Sequence, residues 1–261
     1  MEPSPAPWIS ALRHSHELLQ GVVEPLNVDQ VEQRSYASEW SIAQVLSHLG
    51  SQSEIFGLFL DAGLSGQDPP GAEAFGTIWA IWNAKEPQAQ ASDALRADAA
   101  TLERFESLDA DEQARLNLNM FGMELGTTEL ARMRLGEHAI HTWDVAVALD
   151  PAARVAPDAV ALLIDALDQL VGRSAKPDGK QRKIRVLTTD PERQFILETG
   201  DAVSLVTADD EAAPELGLSE LTLPAEAFVR LIYGRLDPDH TPPVENAGVE
   251  VDELRPIFPG F

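Results

Sequence analysis

The spacing of apolar residues changes character once along this chain, at Asp150-Pro151, and that change restricts the architectures open to it. Before it, apolar side chains recur every three or four residues, the period of a helix with one buried face. After it come short runs rich in β-branched residues, bounded by turn formers. Helices are expected over about 8–26, beside Pro7 at a first-turn position, then over 41–61, 75–85, 91–108 and 127–149. The 41–61 helix has the clearest start. Ser41 with Gln44 three residues on forms a capping box, and Trp40 and Val45 are spaced as a hydrophobic staple. The rest of 1–150 reads as loop, so the simplest assembly is an up-and-down four-helix bundle. Past the boundary, a helix over 158–171 precedes strands at 184–189, 194–199, 203–207 and 220–223, and Pro224 opens a helix through Arg235. The expected class is α+β, with a helical domain at 1–150, an α+β domain at 151–261 and a linker near 150–157.

Charge excludes several classes of function. The chain has 43 acidic and 19 basic side chains, a formal net charge of −24. Neutralising phosphates requires clustered Lys and Arg, and here they are scattered. The longest basic run, Arg182-Lys183-Ile184-Arg185, reads as an exposed strand edge. Residues 1–150 hold 8 basic and 23 acidic groups and residues 151–261 hold 11 and 20, so no basic arm hides in the average. Nucleic acid and anionic membrane surfaces are therefore not expected partners. No apolar stretch approaches a membrane span, and Met1-Glu2-Pro3-Ser4-Pro5 lacks the basic start and apolar core of a signal peptide, so a soluble cytoplasmic protein is expected. A hydrophobic content of 44% is enough for a core at this length. Cysteine is absent, which excludes disulfides and thiolate ligands. Metal ligands are restricted to His, Asp and Glu, and any sulfur chemistry must use an external thiol.

Six histidines are available: His14, His16, His48, His138, His141 and His240. Glu137 and His141 are four apart on one helix, one turn above each other, within reach of one ion. His138 lies about 100° around the helix from Glu137 and is less well placed. His48 falls in the middle of an otherwise apolar helix, and a bundle lets residues of two facing helices meet inside it. Two His and a Glu would leave a zinc ion one open position, the ligand count of a catalytic site. The alternative is a satisfied core histidine at 48 and a solvent-facing pair at 137 and 141. The metalloprotease pattern His-Glu-x-x-His is absent. Trp40, Trp79, Trp82 and Trp143 are candidates for either pocket walls or core. His14, His16 and His240 are assigned to surface or packing.

The segment Trp40-Ser41-Ile42-Ala43-Gln44-Val45-Leu46-Ser47-His48-Leu49 resembles the Trp-Thr-x-x-x-Leu-x-x-His-Leu signature of the mycothiol-dependent maleylpyruvate isomerase family, a branch of the DinB-like metal-binding four-helix proteins. Glu137-His138-Ala139-Ile140-His141-Thr142-Trp143-Asp144 resembles its second signature, Glu-x-x-x-His-x-Trp-Asp. Leu231-Ile232-Tyr233-Gly234-Arg235 resembles the Leu-Gly-Arg run of the family's C-terminal domain, whose fold is similar to sterol carrier proteins.

The resemblance implies that His48, Glu137 and His141 bind zinc and that the sulfur of mycothiol takes the open position. It implies an anion-binding role for Arg235, which could otherwise cap a helix end. Asp144 is placed to accept the second N–H of His141, and Trp143 to touch the cosubstrate. Asn83 matches a polar residue of the family's third helix. One departure concerns the carboxylates of maleylpyruvate: Lys85 is the only basic residue between Arg34 and Arg96, and no third-helix Arg aligns to bind them. The expected function is a zinc- and mycothiol-dependent S-transferase acting on an electrophilic small molecule. A mycothiol-dependent cis–trans isomerase using the same site, a non-catalytic ligand-binding module with a cavity between the domains, and a zinc hydrolase are the alternatives.

Overall fold

The computed structural model describes residues 4–37, 39–120, 122–208 and 218–260. The chain divides into two compact units, Met1–Ala159 and Val160–Phe261, and its class is α+β.

The first unit is built on four long helices, α1 (Ala6–Val23), α3 (Ile42–Ser65), α5 (Pro87–Ser107) and α7 (Thr127–Ala146), with short α2 (Val28–Val31), α4 (Ala72–Asn83) and α6 (Ala110–Arg115) between them. Their ends follow local chemistry. Pro7 sits in the first turn of α1 and Pro87 opens α5, where the missing N–H costs no hydrogen bond. The expected capping box of α3 is present: Ser41 Oγ accepts from Gln44 N at 3.2 Å, and Ser41 N donates to Gln44 Oε1 at 2.9 Å. Gly66, at φ 67°, ends α3 in the left-handed conformation that favours glycine.

Helix α3 packs on α4, α5 and α7, while α1 packs on α5 and α7. The interior is continuous from Leu19 and Val23 through Ile42, Val45, Leu46 and Leu49 to Trp82, Ala94 and Val145. Each large side chain of this kind stabilises the fold by roughly 1.5–3 kcal/mol over its exposed state. Gly50 lets Trp82 into this core, since a Cβ there would lie 2.2 Å from the indole ring.

The second unit begins within α8 (Pro157–Leu163), and a 3₁₀ turn at Ile164–Ala166 leads into α9 (Leu167–Ser174). Five strands follow: β3 (Arg182–Thr189), β4 (Arg193–Thr199), β5 (Ser204–Thr207), β6 (Ser219–Pro224) and β7 (Glu245–Ala247), ordered β5-β4-β3-β6-β7. Strands β3 and β6 are parallel and the other pairs antiparallel. Ile184, Val186, Phe195, Leu197, Leu221 and Leu223 form the buried face. The amphipathic α10 (Ala225–Ile232) packs on β3, β6 and α9, with Phe228 5.6 Å from Phe195. A short α11 (Val251–Leu254) lies near the end of the described chain.

Several expectations are corrected. The first 150 residues contain a hairpin, β1 (Leu118–Met120) and β2 (Met123–Leu125), paired Leu118 to Leu125. Strands of three residues are too short to show alternation. The run Arg182-Lys183-Ile184-Arg185 is no sheet edge, because β3 is the middle strand, bonded on both sides. Lys183 and Arg185 alternate with buried Ile184 and Val186, and a polar face on a central strand reads in sequence like an edge. Helix α10 stops at Ile232, short of Arg235, and Gly234 follows at φ 72°. Strand β7 escaped notice because all three of its residues are exposed. Among the described residues, no helix is long and apolar enough to cross a membrane.

Candidate functional site

Helix α7 places Glu137 and His141 one turn apart, and α3 brings His48 to the same point. His48 Nε2 lies 3.2 Å from Glu137 Oε2, and His141 Nε2 lies 3.8 Å from the same oxygen. One ligand atom from each of the three falls within 4.8 Å of the other two. The imidazole rings of His48 and His141 meet edge to face at 4.8 Å. Trp40, at the start of α3, is 37% exposed rather than buried as a staple, with its ring 5.4 Å from His48 and 6.4 Å from His141.

The protonation states suit a divalent cation. Burial lowers the His48 imidazole despite the pull of Glu137, keeping it neutral. Burial works to raise the Glu137 carboxyl, but the hydrogen bond with His48 and the nearness of His141 outweigh it and bring it down to about 2. His141 Nδ1 is 2.8 Å from Oδ2 of fully buried Asp144. A carboxylate accepts, so Nδ1 carries the proton and the Nε2 lone pair is left on the side of Glu137. Two imidazoles and one carboxylate form a donor set that fits zinc.

A second group, His16, Asp98 and His138, also brings its ligand atoms within 4.8 Å, but its chemistry differs. Asp98 Oδ2 lies 2.6 Å from His16 Nδ1 and 2.8 Å from His138 Nε2, and Asp98 Oδ1 accepts from Arg134 Nη2 at 2.6 Å. Burial alone would raise Asp98, yet His138 and Arg134 hold it well below the ordinary carboxylate value. Burial lowers the His138 imidazole against the pull of Asp98, and Arg134 is the permanent cation of the cluster. That guanidinium already supplies the charge a metal would bring. The cluster links α1, α5 and α7, and α3 joins through Ser53, whose Oγ accepts from Arg134 at 2.7 Å.

A cavity of about 490 Å³ opens beside His48, lined by Trp40, Gln44, Ser51, Trp79, Asn83 and Gln90 as well. Asn83 and Trp79, expected candidates from the third long segment, are thus at the site, whereas Trp82 is core. Trp143 is 1% exposed, with its indole N–H donating to Ala153 O at 3.0 Å and its ring 4.6 Å from Tyr36. Arg235 belongs to the second unit, is 8% exposed, and donates through Nη1 to Tyr233 O at 2.8 Å. His14 pairs with Asp158 at the surface, and His240 with Asp237 in a 3₁₀ turn.

Sequence reasoning missed Gln44, Ser51 and Gln90 as cavity residues. Gln44 and Ser51 are respectively four residues before and three after His48, on its own helix face, a signal that was available. Gln90 comes from α5 and had no such signal. The Arg134–Asp98 pair was missed because a buried ion pair on two helices looks, in each helix, like a surface charge.

The architecture has solved counterparts. The crystal structure of the mycothiol-dependent maleylpyruvate isomerase superposes with a TM-score of 0.69 at 14% identity, over 95% of this chain and 95% of that one. A histidine-to-alanine mutant of the mycothiol-dependent maleylpyruvate isomerase gives 0.69 at 13%, with the same coverage. At such identity the likeness is one of fold. Comparison with curated proteins finds no match. The family described as mycothiol maleylpyruvate isomerase N-terminal domain matches residues 12–146, more than half of the sequence, and the chain belongs to that family.

Proposed function

We propose that this protein is a zinc-dependent enzyme that uses mycothiol as a thiol cosubstrate and joins it through its sulfur to an electrophilic small molecule. The observation that carries the reading is the convergence of His48, Glu137 and His141 from two helices beside an open cavity. Family membership supports mycothiol as the thiol. Zinc bound there would lower the pKa of a thiol and so make a thiolate available at neutral pH. His48 and His141 would hold the ion through Nε2 and Glu137 through Oε2, and Asp144 would keep the proton of His141 on Nδ1. In the transfer, a carbon–sulfur bond forms to an electron-poor alkene carbon, the π pair moves onto the neighbouring carbon, and the thiol proton ends there.

The names of the two solved counterparts favour one alternative, cis–trans isomerisation, in which the same addition is followed by bond rotation and expulsion of the sulfur. Product analysis separates the two, because only the transferase product retains sulfur. The test of the site is metal content by mass spectrometry on untagged protein beside His48→Ala and His141→Ala. One zinc per chain in the wild type, lost in both variants together with thiol conjugation, is the expected result. Thiol conjugation that persists after complete chelation would sink the proposal.

A further inference from the structure

A second cavity, of about 390 Å³, is walled by α1 and α5 and shares no lining residue with the one beside His48. All of its lining residues belong to the first unit. His16, Gln20 and Glu24 recur every four residues, so they present one face of α1 to it. Gln88 and Arg96 line it from α5, and Val23, Ala91 and Leu95 supply apolar wall.

The polar groups on the two walls have opposite capacities left for a ligand. Gln20 Nε2 donates to Glu24 Oε1, and Gln88 Nε2 donates to Leu26 O at 3.4 Å, so each amide is left with its oxygen as an acceptor. Glu24 has no cationic partner among the described residues. Three acceptors, one of them charged, thus gather near the C-terminal end of α1, where they suit the three N–H donors of a primary ammonium. On α5, Arg96 bonds one oxygen of Asp93 through Nη2, and Lys85 Nζ lies 2.9 Å from the other oxygen. One carboxylate between two cations leaves a positive surplus, and the rest of the Arg96 fork suits a second carboxylate. His16 forms the buried end. Its Nδ1 donates to Asp98 Oδ2 at 2.6 Å, and Nε2, on the far side of the ring, makes no hydrogen bond among the described residues. An unpaired nitrogen on a residue only 6% exposed is costly unless something in the cavity meets it.

We infer that this cavity is a second ligand site, built for a small zwitterion that carries a primary ammonium and a carboxylate. Glu24, Gln20 and Gln88 receive the ammonium, Arg96 receives the carboxylate, and His16 gives the ligand a polar contact at the buried end. A ligand without net charge also escapes the repulsion that a chain of net charge −24 exerts on free anions.

The test is titration calorimetry on the full chain with 4-aminobutyrate, butylamine and butyrate, which carry both charged groups, the ammonium alone and the carboxylate alone. 4-Aminobutyrate is expected to bind about tenfold more tightly than either of the others. Glu24→Gln and Arg96→Gln should each weaken it about tenfold. Both side chains are exposed, so neither change should disturb folding. His48→Ala should leave 4-aminobutyrate binding as it is in the wild type, because the two cavities have no residue in common. Butylamine or butyrate binding as tightly as 4-aminobutyrate, or no heat of binding at millimolar 4-aminobutyrate, overturns the inference. So does binding that Glu24→Gln or Arg96→Gln leaves unchanged, or that His48→Ala abolishes.

Discussion

Oδ2 of Asp144 lies 2.8 Å from Nδ1 of His141, three residues earlier on α7, and Asp144 is wholly buried. The pair sets which nitrogen of His141 is left with a lone pair. Asp144→Ala is therefore expected to weaken zinc binding about 10- to 100-fold. Asp144→Asn, which keeps an acceptor but loses the charge, should fall between it and the wild type. Competition with a chromogenic chelator reads both, and unchanged affinity in Asp144→Ala would show that the tautomer is set elsewhere.

The Arg134–Asp98 pair should be a large contributor to stability when broken from one side. Asp98→Ala leaves a guanidinium uncompensated in the core, so a loss of about 3–5 kcal/mol is expected in urea unfolding. A loss below about 1 kcal/mol would mean that water enters the cluster.

Acid should act through the same residue. The folded-state pKa of Asp98 is depressed below its ordinary value of 3.8. Its contribution is thus present in full above that value and lost as the pH falls through the folded value. Thermal unfolding from pH 7 to pH 2 should show the wild-type melting temperature dropping most steeply below about pH 4. Asp98→Asn, less stable at neutral pH, should have a flatter profile there, and parallel profiles would contradict the assignment.

Gly50 faces the Trp82 ring at a distance that excludes any side chain. Gly50→Ala should displace Trp82 and cost roughly 1–3 kcal/mol by overpacking, despite the better helix propensity of alanine. Since Gln90 Nε2 donates to Trp82 O at 3.2 Å, the shift should reach the cavity wall. Near-ultraviolet circular dichroism and urea unfolding together check this.

Ser41→Ala removes the cap of α3 and should cost about 1 kcal/mol. It also frees Gln44, a cavity residue whose amide is oriented by that cap, so the rate of thiol conjugation should fall along with stability. Gln44→Ala, which leaves the Ser41 hydroxyl and the Gln44 backbone N–H in place, separates the two effects when conjugation rate and urea unfolding are read side by side.

What could be read from one dimension was whatever short-range physics controls. The capping box at Ser41 and Gln44 and the prolines that open α1 and α5 are satisfied within a few residues, and they appear in the structure where the sequence puts them. The one-turn spacing of Glu137 and His141 belongs to the same category, because helix geometry alone stacks them. Tertiary structure decided whatever needs two distant segments at once. Nothing near His48 in sequence tells that its imidazole will stand 3.2 Å from Glu137, 89 residues on. Asp98 and Arg134 read as solvent charges until the packing of α5 on the other helices closes around both. Strand β3 looked like an edge until β6, brought back by a long connection, paired along its second side. Local spacing determines which side chains share a face, whereas only the packed chain determines what that face meets.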